Sequence, residues 1–195
     1  RTVTGVQTCA LPISGFDRAL RALLDAGREA SEDVSRAVKA IIAEVCAKGD
    51  EALFAYSERF DRVQLNANTL KVTQSEIAAA VKSCSRDALD ALGFAAKRIE
   101  SYHVKQMPQD AFYRDEQGVR LGWRWRPLDS AGLYVPGGTA SYPSSVLMNA
   151  LPARVAGVVR LVMVSPASGG AINPLTLAAA HIAGVSEIYR RSEEH

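Results

Sequence analysis

The chain has 195 residues, of which 48% are hydrophobic and 23% are charged, a composition typical of a globular protein. Its 23 Lys and Arg residues nearly balance its 21 Asp and Glu residues, and a net charge of +2 argues against a dedicated nucleic-acid binder. No apolar run approaches the roughly 20 residues that cross a bilayer, so the sequence predicts no membrane span. Three cysteines without a CxxC pair favour a reducing cytoplasm over a disulfide framework.

The two ends of the chain differ from its interior. Residues 1–14 show neither helical nor alternating periodicity, and they lack the basic start and long apolar core of a secretory signal. The last residues follow abruptly on an apolar segment and resemble translated adapter sequence, as the first ones do. We therefore expect a non-native leader over 1–15 and a non-native tail over 191–195, the alternative being natural irregular termini.

The first half of the interior, residues 16–110, is predicted to be mostly helical. Apolar residues recur at helical spacing over 34–45 and again over 89–103, and Gly49 stands where a glycine commonly ends a helix. A short β-like run covers 69–73. It is followed by a capping box, in which Thr73 and Glu76 would satisfy free backbone donors of the next helix.

From residue 111 the period of the pattern changes. A strand over 112–115 and a turn precede an alternating segment whose apolar residues are Val119, Leu121, Trp123 and Trp125. The spacing predicts a hairpin with one apolar and one cationic face. We expect the tryptophans to lie in the core and the arginines on a solvated or intersubunit face.

Three β-rich segments then alternate with two helical ones. The strands are expected at 131–135, 159–164 and 185–189, and the helices at 144–156 and between Asn173 and Gly184. This order predicts a parallel sheet covered by helices, which is half of a doubly wound sheet. Pro152 is expected to kink or interrupt the first helix. A sheet that stops at its third strand is expected to leave an exposed edge there.

The loop at 136–143 follows the first of these strands, where ligands bind in parallel sheets. Its two adjacent glycines would let the backbone approach a ligand closely, although neither a GxGxxG motif nor a P-loop is present. The residues of this loop fit two interpretations, a cofactor-binding loop and a purely structural turn. Ser144 or Ser145 could cap the next helix, and Tyr134 could stack on a planar ring or fill the core.

Residue spacing reveals no catalytic constellation. His103 and His181 lie within helical patterns that predict packing or surface roles, and the three histidines of the chain are too scattered for a His-based zinc site. The carboxylates near the hairpin form no evident acid–base pair. We therefore assign no catalytic and no metal-binding residue.

One long segment nevertheless resembles a known family. Residues 132–157 have the sequence GLYVPGGTASYPSSVLMNALPARVAG, which is similar to the hallmark segment of histidinol dehydrogenases. Shorter matches to the same family are KGDEA at 48–52, YSERFD at 56–61 and IESYH at 99–103. The similarity covers about residues 16–190, nearly all of the interior.

The resemblance implies a fold similar to that of aldehyde dehydrogenases, with paired Rossmann-like domains. It also implies oxidation of L-histidinol through L-histidinaldehyde to L-histidine, with two NAD⁺ and a bound Zn²⁺, in an intertwined homodimer. Residues 16–110 would form the helical region, and 111–190 the hairpin and the first half of the NAD-binding domain. Within it the resemblance implies that Tyr134 contacts NAD, with Pro136 and Gly137 beside it.

The same resemblance places the family's zinc ligands and its Glu–His base pair downstream of this span. After Arg190 the family continues with Val-Gly-Gly-Ala-Gln, whereas this chain continues with Arg-Ser-Glu-Glu-His. We therefore expect an inactive N-terminal part of the enzyme. The alternatives are a related alcohol dehydrogenase, such as one acting on a sulfopropanediol, and a non-catalytic nucleotide-binding or interaction module. The sequence of the loop at 136–143 favours histidinol as the substrate.

Overall fold

The computed structural model describes residues 15–136, 142–167 and 170–191, without the side chains of Ala19, residues 22–32, Asp61 and Arg191. The chain divides into two compact units, residues 1–52 and 53–195. Within the described ranges, no helix combines the length and apolar character needed to cross a membrane.

The first unit consists mainly of one long helix, α1 (Phe16–Lys48). Gly49 ends this helix with a φ of 60°, and its N–H donates to the Val45 carbonyl at 2.8 Å. Glycine adopts a positive φ without the steric cost that other residues incur. The predicted helix and its terminating glycine are confirmed. Its apolar residues Val34 and Ile42 are 62% and 56% exposed, so they form no core among the described side chains.

The helices that follow are α2 (Asp50–Asp61), α3 (Gln74–Ser83), α4 (Arg86–Val104), α5 (Pro143–Val155) and α6 (Pro174–Ala183). The predicted capping box starts α3, because the Glu76 N–H donates to the Thr73 hydroxyl at 3.2 Å and the Thr73 N–H donates to the Glu76 carboxylate at 2.8 Å. Asn173 and Gly184 bound α6 as expected. Pro152 lies in the last turn of α5 and does not interrupt it.

The hairpin consists of β1 (Ala111–Arg114) and β2 (Arg120–Trp123), which pair antiparallel. Asp115 fixes the turn between them, since its carboxylate accepts from the Gln117 and Val119 N–H groups at 3.0 and 2.8 Å. The hairpin itself is therefore confirmed.

The burial predicted for its tryptophans is wrong. Trp123 and Trp125 are 54% and 57% exposed, and the Trp123 indole N–H donates to the Gln109 carbonyl at 3.1 Å. Alternation showed which residues share a face of the hairpin, but it did not show whether a second layer covers that face. The exposed apolar residues that share this face, called the hairpin surface below, are Tyr113, Val119, Leu121, Trp123 and Trp125.

A parallel sheet follows, with the strand order β3 (Ser130–Tyr134), β4 (Arg160–Pro166) and β5 (Glu187–Arg191). Helix α5 connects β3 to β4, and α6 connects β4 to β5. The predicted β-α-β-α-β order and the parallel pairing are confirmed.

One face of the sheet forms the main hydrophobic core together with the helices. Helix α5 packs against α4 and α6, and α3 packs against α6. The largest buried side chains of this core are Leu133, Leu161, Met163 and Ile188 from the strands, and Leu147 and Leu151 from α5. Burial of each such side chain contributes about 1.5–3 kcal/mol, so this contact is the main source of stability for the second unit.

The opposite face of the sheet is more exposed, and of its described strand residues only Pro166, at the end of β4, is buried. Side chains alternate along each strand, so this open face also carries Gly132, Tyr134, Val162, Val164, Glu187 and Tyr189. These six residues range from half-buried to exposed.

The outer edge of β5 is paired, which corrects the expected exposed edge at the third strand. The Val72 N–H donates to the Ile188 carbonyl, and the Arg190 N–H donates to the Leu70 carbonyl, each at 2.9 Å. Lys71 pairs antiparallel with Tyr189 between these two bonds. The β-like run near residue 70 thus serves as a short edge partner. Within the described part of this parallel sheet, β3 is the strand without a partner on one side.

A cluster around Glu187 fastens this edge on the open face. The Glu187 carboxylate accepts from the Tyr189 hydroxyl at 2.7 Å, from Lys71 Nζ at 2.9 Å and from Arg160 Nε at 2.7 Å. These three donors lower the pKa of Glu187 from 4.5 to about 2, the Tyr189 hydrogen bond having the largest effect. The carboxylate therefore links β5 to β4 and to the segment at residue 71.

Replacement of Glu187 should destabilise the fold in a pH-dependent way. Because the folded state lowers the pKa of Glu187, its stabilising effect is complete above 4.5 and disappears as the pH falls towards about 2. Glu187→Gln should thus lower the thermal midpoint at neutral pH, and the difference from wild type should shrink across that acidic range. Asp90→Asn is a suitable control, because Asp90 and its partner Arg86 are 62% and 84% exposed. A deficit for Glu187→Gln that is independent of pH would contradict this account.

The hairpin surface should cause the chain to self-associate in solution. Exposed apolar patches of this kind promote association between molecules. Sedimentation velocity should show a weight-average mass that rises with concentration, and Leu121→Lys combined with Val119→Lys should reduce this rise. A wild-type chain that stays monomeric over the whole range would refute the prediction.

Candidate functional site at the carboxyl edge of the sheet

The three parallel strands end at one common edge of the sheet. Strand β3 ends at Tyr134, β4 at Pro166 and β5 at Arg191. The loops that lead into α5 and α6 both leave from this edge. In open parallel sheets ligands bind outside the carboxyl ends of the strands, so this edge is the candidate functional site.

Tyr134 is the last residue of β3 and lies on the open face, where it is 52% exposed. It is in register with Val164, which is in register with Tyr189. With strands about 4.8 Å apart, the backbones of the two tyrosines lie about 10 Å from each other. Because its side chain is exposed, Tyr134 does not fill the core, which was one of its two expected placements.

The residues after Tyr134 lead directly into the loop. Val135 is fully buried, and its N–H donates to the Val164 carbonyl at 3.0 Å, so the strand pairing extends to the start of the loop. Pro136 is exposed next to it. Gly137, the third residue expected to contact a cofactor, lies outside the described residues, as do residues 138–141. Tyr134 and Pro136 are thus adjacent at the edge.

The amino end of α5 faces the same edge. Tyr142 occupies the cap position without a side-chain hydrogen bond to the helix, and Pro143 is the first helical residue. The serines predicted as possible caps, Ser144 and Ser145, instead lie within the first turn. No acidic residue is present in that turn, and the positive end of the helix dipole would favour an anionic group.

Arg190, at the end of β5, holds the neighbouring loops in place. Its side chain is 10% exposed, and the guanidinium donates to the Thr69 carbonyl at 2.8 Å, to the Gly170 carbonyl at 3.2 Å and to the Glu76 carboxylate. The pKa of Glu76 is lowered, chiefly by the Thr73 N–H and then by the Thr73 hydroxyl and Arg190.

Sequence reasoning assigned no role to Arg190 or to Glu187. A signal was present, since charged residues flank Ile188 and Tyr189 in an otherwise apolar segment. Charges in a half-buried strand need partners, because burying an unpaired charge is costly. Three of these partners, Lys71, Glu76 and Thr69, are 114 to 121 residues away in the chain and could not be inferred from spacing.

The histidines and carboxylates do not converge at this edge. His103 lies in the last turn of α4, with its ring edge-on to Tyr102 at 5.2 Å, and His181 is exposed on α6. Among the residues that the structure describes, no three His, Cys, Asp or Glu side chains are grouped so that they could hold a metal ion. These residues therefore do not fit a zinc site.

Taken together, the helices, the parallel sheet and the loops at its edge define a mixed α/β protein. A solved structure with the same arrangement is histidinol dehydrogenase from Elizabethkingia anophelis, which matches 82% of this chain with a TM-score of 0.77 and 31% identity. The match covers 36% of that protein's chain.

The sequence comparisons agree with the structural one. The sequence model of the family described as Histidinol dehydrogenase matches residues 24–192. The chain is 58% identical over 177 residues to the histidinol dehydrogenase of Rhizobium meliloti strain 1021, and 56% identical over 180 residues to that of Mesorhizobium japonicum. This chain belongs to the histidinol dehydrogenase family.

The matches cover most of this chain but less than half of its relatives. They include 91% and 92% of the chain, and 41% and 42% of the two relatives. The chain therefore spans about two fifths of the length of the curated relatives it matches.

Proposed function

We propose that this chain is the N-terminal part of an L-histidinol dehydrogenase of the cytoplasm. The complete enzyme would oxidise L-histidinol through L-histidinaldehyde to L-histidine in histidine biosynthesis, and two NAD⁺ would accept the two hydrides. The observation that carries this proposal is the match to the family over 24–192. The relatives named above are histidinol dehydrogenases, which favours histidinol over another alcohol and an enzyme over a free-standing binding module.

The carboxyl edge of the sheet would form half of the NAD⁺ site. We assign Tyr134, Pro136 and Gly137 to this site, within a Rossmann-like domain of the aldehyde dehydrogenase type that begins near residue 111. An exposed tyrosine at the end of β3 and an uncapped helix end nearby support the assignment. An aromatic ring can pack on a planar cofactor ring, and helix amino ends favour phosphate groups.

Zinc and the catalytic bases would come from the rest of the enzyme. The described residues do not group donors for a metal ion, so no step is assigned to zinc here. The complete enzyme would act as a homodimer, and the exposed hairpin surface is compatible with a contact to further protein.

The assignment of Tyr134 can be tested in the complete enzyme that contains this segment. Tyr134→Ala should weaken NAD⁺ binding by roughly ten- to a hundredfold, the loss expected for a large aromatic contact of about 1.5–3 kcal/mol. The affinity for histidinol should change much less. Both quantities are measured by titration calorimetry.

Tyr113→Ala provides a matched control, because Tyr113 is also 52% exposed but lies on the hairpin. It should leave NAD⁺ affinity unchanged. An unaltered NAD⁺ affinity in Tyr134→Ala would refute the assignment of this residue.

The chain alone should be catalytically inactive. Without a grouped set of metal donors among its described residues, it should produce no NADH from histidinol and NAD⁺ when zinc is added. A complete histidinol dehydrogenase assayed in parallel confirms that the assay works. Zinc-dependent NADH formation by the chain would contradict the proposal that it lacks the catalytic part.

A further inference from the structure

Nothing in the described part of the chain requires a glycine at position 132, in the middle of β3. Its φ is not positive, and a Cβ built on Gly132 would meet no described atom within 4 Å apart from its chain neighbours. Gly122 of the hairpin differs, because a Cβ there would collide with the Ala111 carbonyl oxygen. A glycine inside a strand weakens it and often marks a place where another backbone or a ligand approaches closely. Gly132 therefore indicates a close approach from outside the described residues.

Gly132 belongs to an apolar strip that crosses the open face of the sheet. Its register partner on β4 is Val162. Val164 lies two residues further along β4, in register with Tyr134 on one side and Tyr189 on the other. Both valines are half-buried. The backbones of the two tyrosines are about 10 Å apart, which is close to the diameter of a helix with its side chains. The strip thus has the width and the apolar floor that one packed helix needs.

The direction in which the strands follow one another explains why no described helix covers this face. Strands β3, β4 and β5 succeed each other in one direction across the sheet, and the two connecting helices, α5 and α6, pack on the same face. Right-handed crossovers place helices on the opposite face when the chain adds strands in the other direction. Parallel sheets almost always have both faces covered. A helix for the open face would therefore come from a segment that continues the sheet beyond the unpaired side of β3.

The amino end of the open face carries an excess of positive charge. Within the described ranges, Lys71 and Arg160 share one carboxylate, that of Glu187, at 2.9 and 2.7 Å. The two cationic side chains are still 51% and 58% exposed. A helix that covers this face removes water from both cations, and a desolvated charge needs a partner of opposite sign. The covering helix should thus present an Asp or Glu near this end of the sheet.

We propose that the open face is the docking surface for an acidic amphipathic helix from the part of the enzyme that follows this chain. Gly132 is the point of closest approach, and the acidic residue of the helix lies beside Arg160. The inference rests on the proposed function only in taking this chain as the N-terminal part of a longer enzyme. The relatives have the length that this requires, because the chain spans about two fifths of them.

The first test compares Gly132→Ala with Gly93→Ala by thermal melting, both in this chain and in the complete enzyme. Gly93 is the matched control, because it lies within α4 and has the same free space for a Cβ. Alanine is more favourable than glycine inside helices and strands, so both substitutions should raise the thermal midpoint of this chain by about 1–4 °C. In the complete enzyme Gly93→Ala should again raise the midpoint, whereas Gly132→Ala should lower it.

A rise of the midpoint in both variants of the complete enzyme would overturn the inference, because nothing would then approach Gly132. A lower midpoint for Gly132→Ala in this chain alone would also overturn it, since the obstruction would then lie within the chain. The same holds if Gly132→Ala weakens NAD⁺ binding without lowering the midpoint of the complete enzyme. In that case the cofactor itself, and no helix, would occupy the open face.

A second measurement identifies the occupant directly. The photo-cross-linking residue p-benzoylphenylalanine replaces Tyr189, whose ring it resembles, in the complete enzyme without cofactor. Mass spectrometry should locate the new bond in a helix beyond the segment that this chain covers, with an Asp or Glu within two helical turns. The same replacement at Tyr102, which is 61% exposed on α4, is the control and should not reach that helix.

Three results of the cross-linking would overturn the inference. The first is a bond only to the segment that this chain covers, in the same or a second copy, and the second is no bond at Tyr189. The third is a bond to a later segment that carries no acidic residue nearby or that Tyr102 also reaches.

The docking surface and the proposed function can fail separately. If both glycine variants of the complete enzyme have raised midpoints while Tyr134→Ala weakens NAD⁺ binding, the cofactor site stands and the docking surface fails. If Tyr189 cross-links to the later helix but the complete protein binds no NAD⁺, the docking surface stands and the proposed function fails.

Discussion

The placement of two charged residues on opposite faces of β5 constrains the whole of the second unit. Alternation along the strand directs Glu187 to the open face and Arg190 to the helix-covered face, and both are largely removed from water. Each needs partners of opposite charge or hydrogen-bonding groups, because a buried unpaired charge is strongly unfavourable. The partners come from the segment around residue 70, from α3 and from β4. Pairing β5 therefore requires that α3, the segment before it and the sheet fold together.

This requirement explains why a short segment before α3 covers the edge of the sheet. Residues 70–72 form two backbone bonds with β5, which would be weak support on their own. Lys71 and the Thr69 carbonyl add bonds to Glu187 and Arg190 on the two faces. A shift of one residue would direct each charged side chain to the wrong face, so the ionic contacts specify the register as well as stabilise it.

Local patterns predicted most elements of this fold, and contacts between distant segments account for what they missed. The capping box at Thr73, the helix-ending Gly49 and the order of parallel strands all follow from short-range rules of capping and periodicity. The exposure of Trp123 could not be predicted in this way, because it depends on whether another layer covers the hairpin. Similarly, the role of Arg190 depends on Glu76, which is 114 residues away. At the candidate site the sequence predicted the place of the loop, whereas resemblance supplied the role of Tyr134.

Under the proposed function, the architecture separates binding of the cofactor from the chemistry of oxidation. The carboxyl edge brings together an exposed tyrosine and the amino end of α5, which suit the planar rings and phosphates of a dinucleotide. The same described residues group no metal donors, and their histidines lie on helices away from this edge. Strand pairing sets the geometry of this edge, and β5 is held there by α3 and the segment before it, through Arg190, Glu187 and two backbone bonds. The position of β5, and with it one end of the proposed cofactor edge, therefore depends on residues 114 to 121 positions earlier in the chain, although none of them needs to touch NAD⁺.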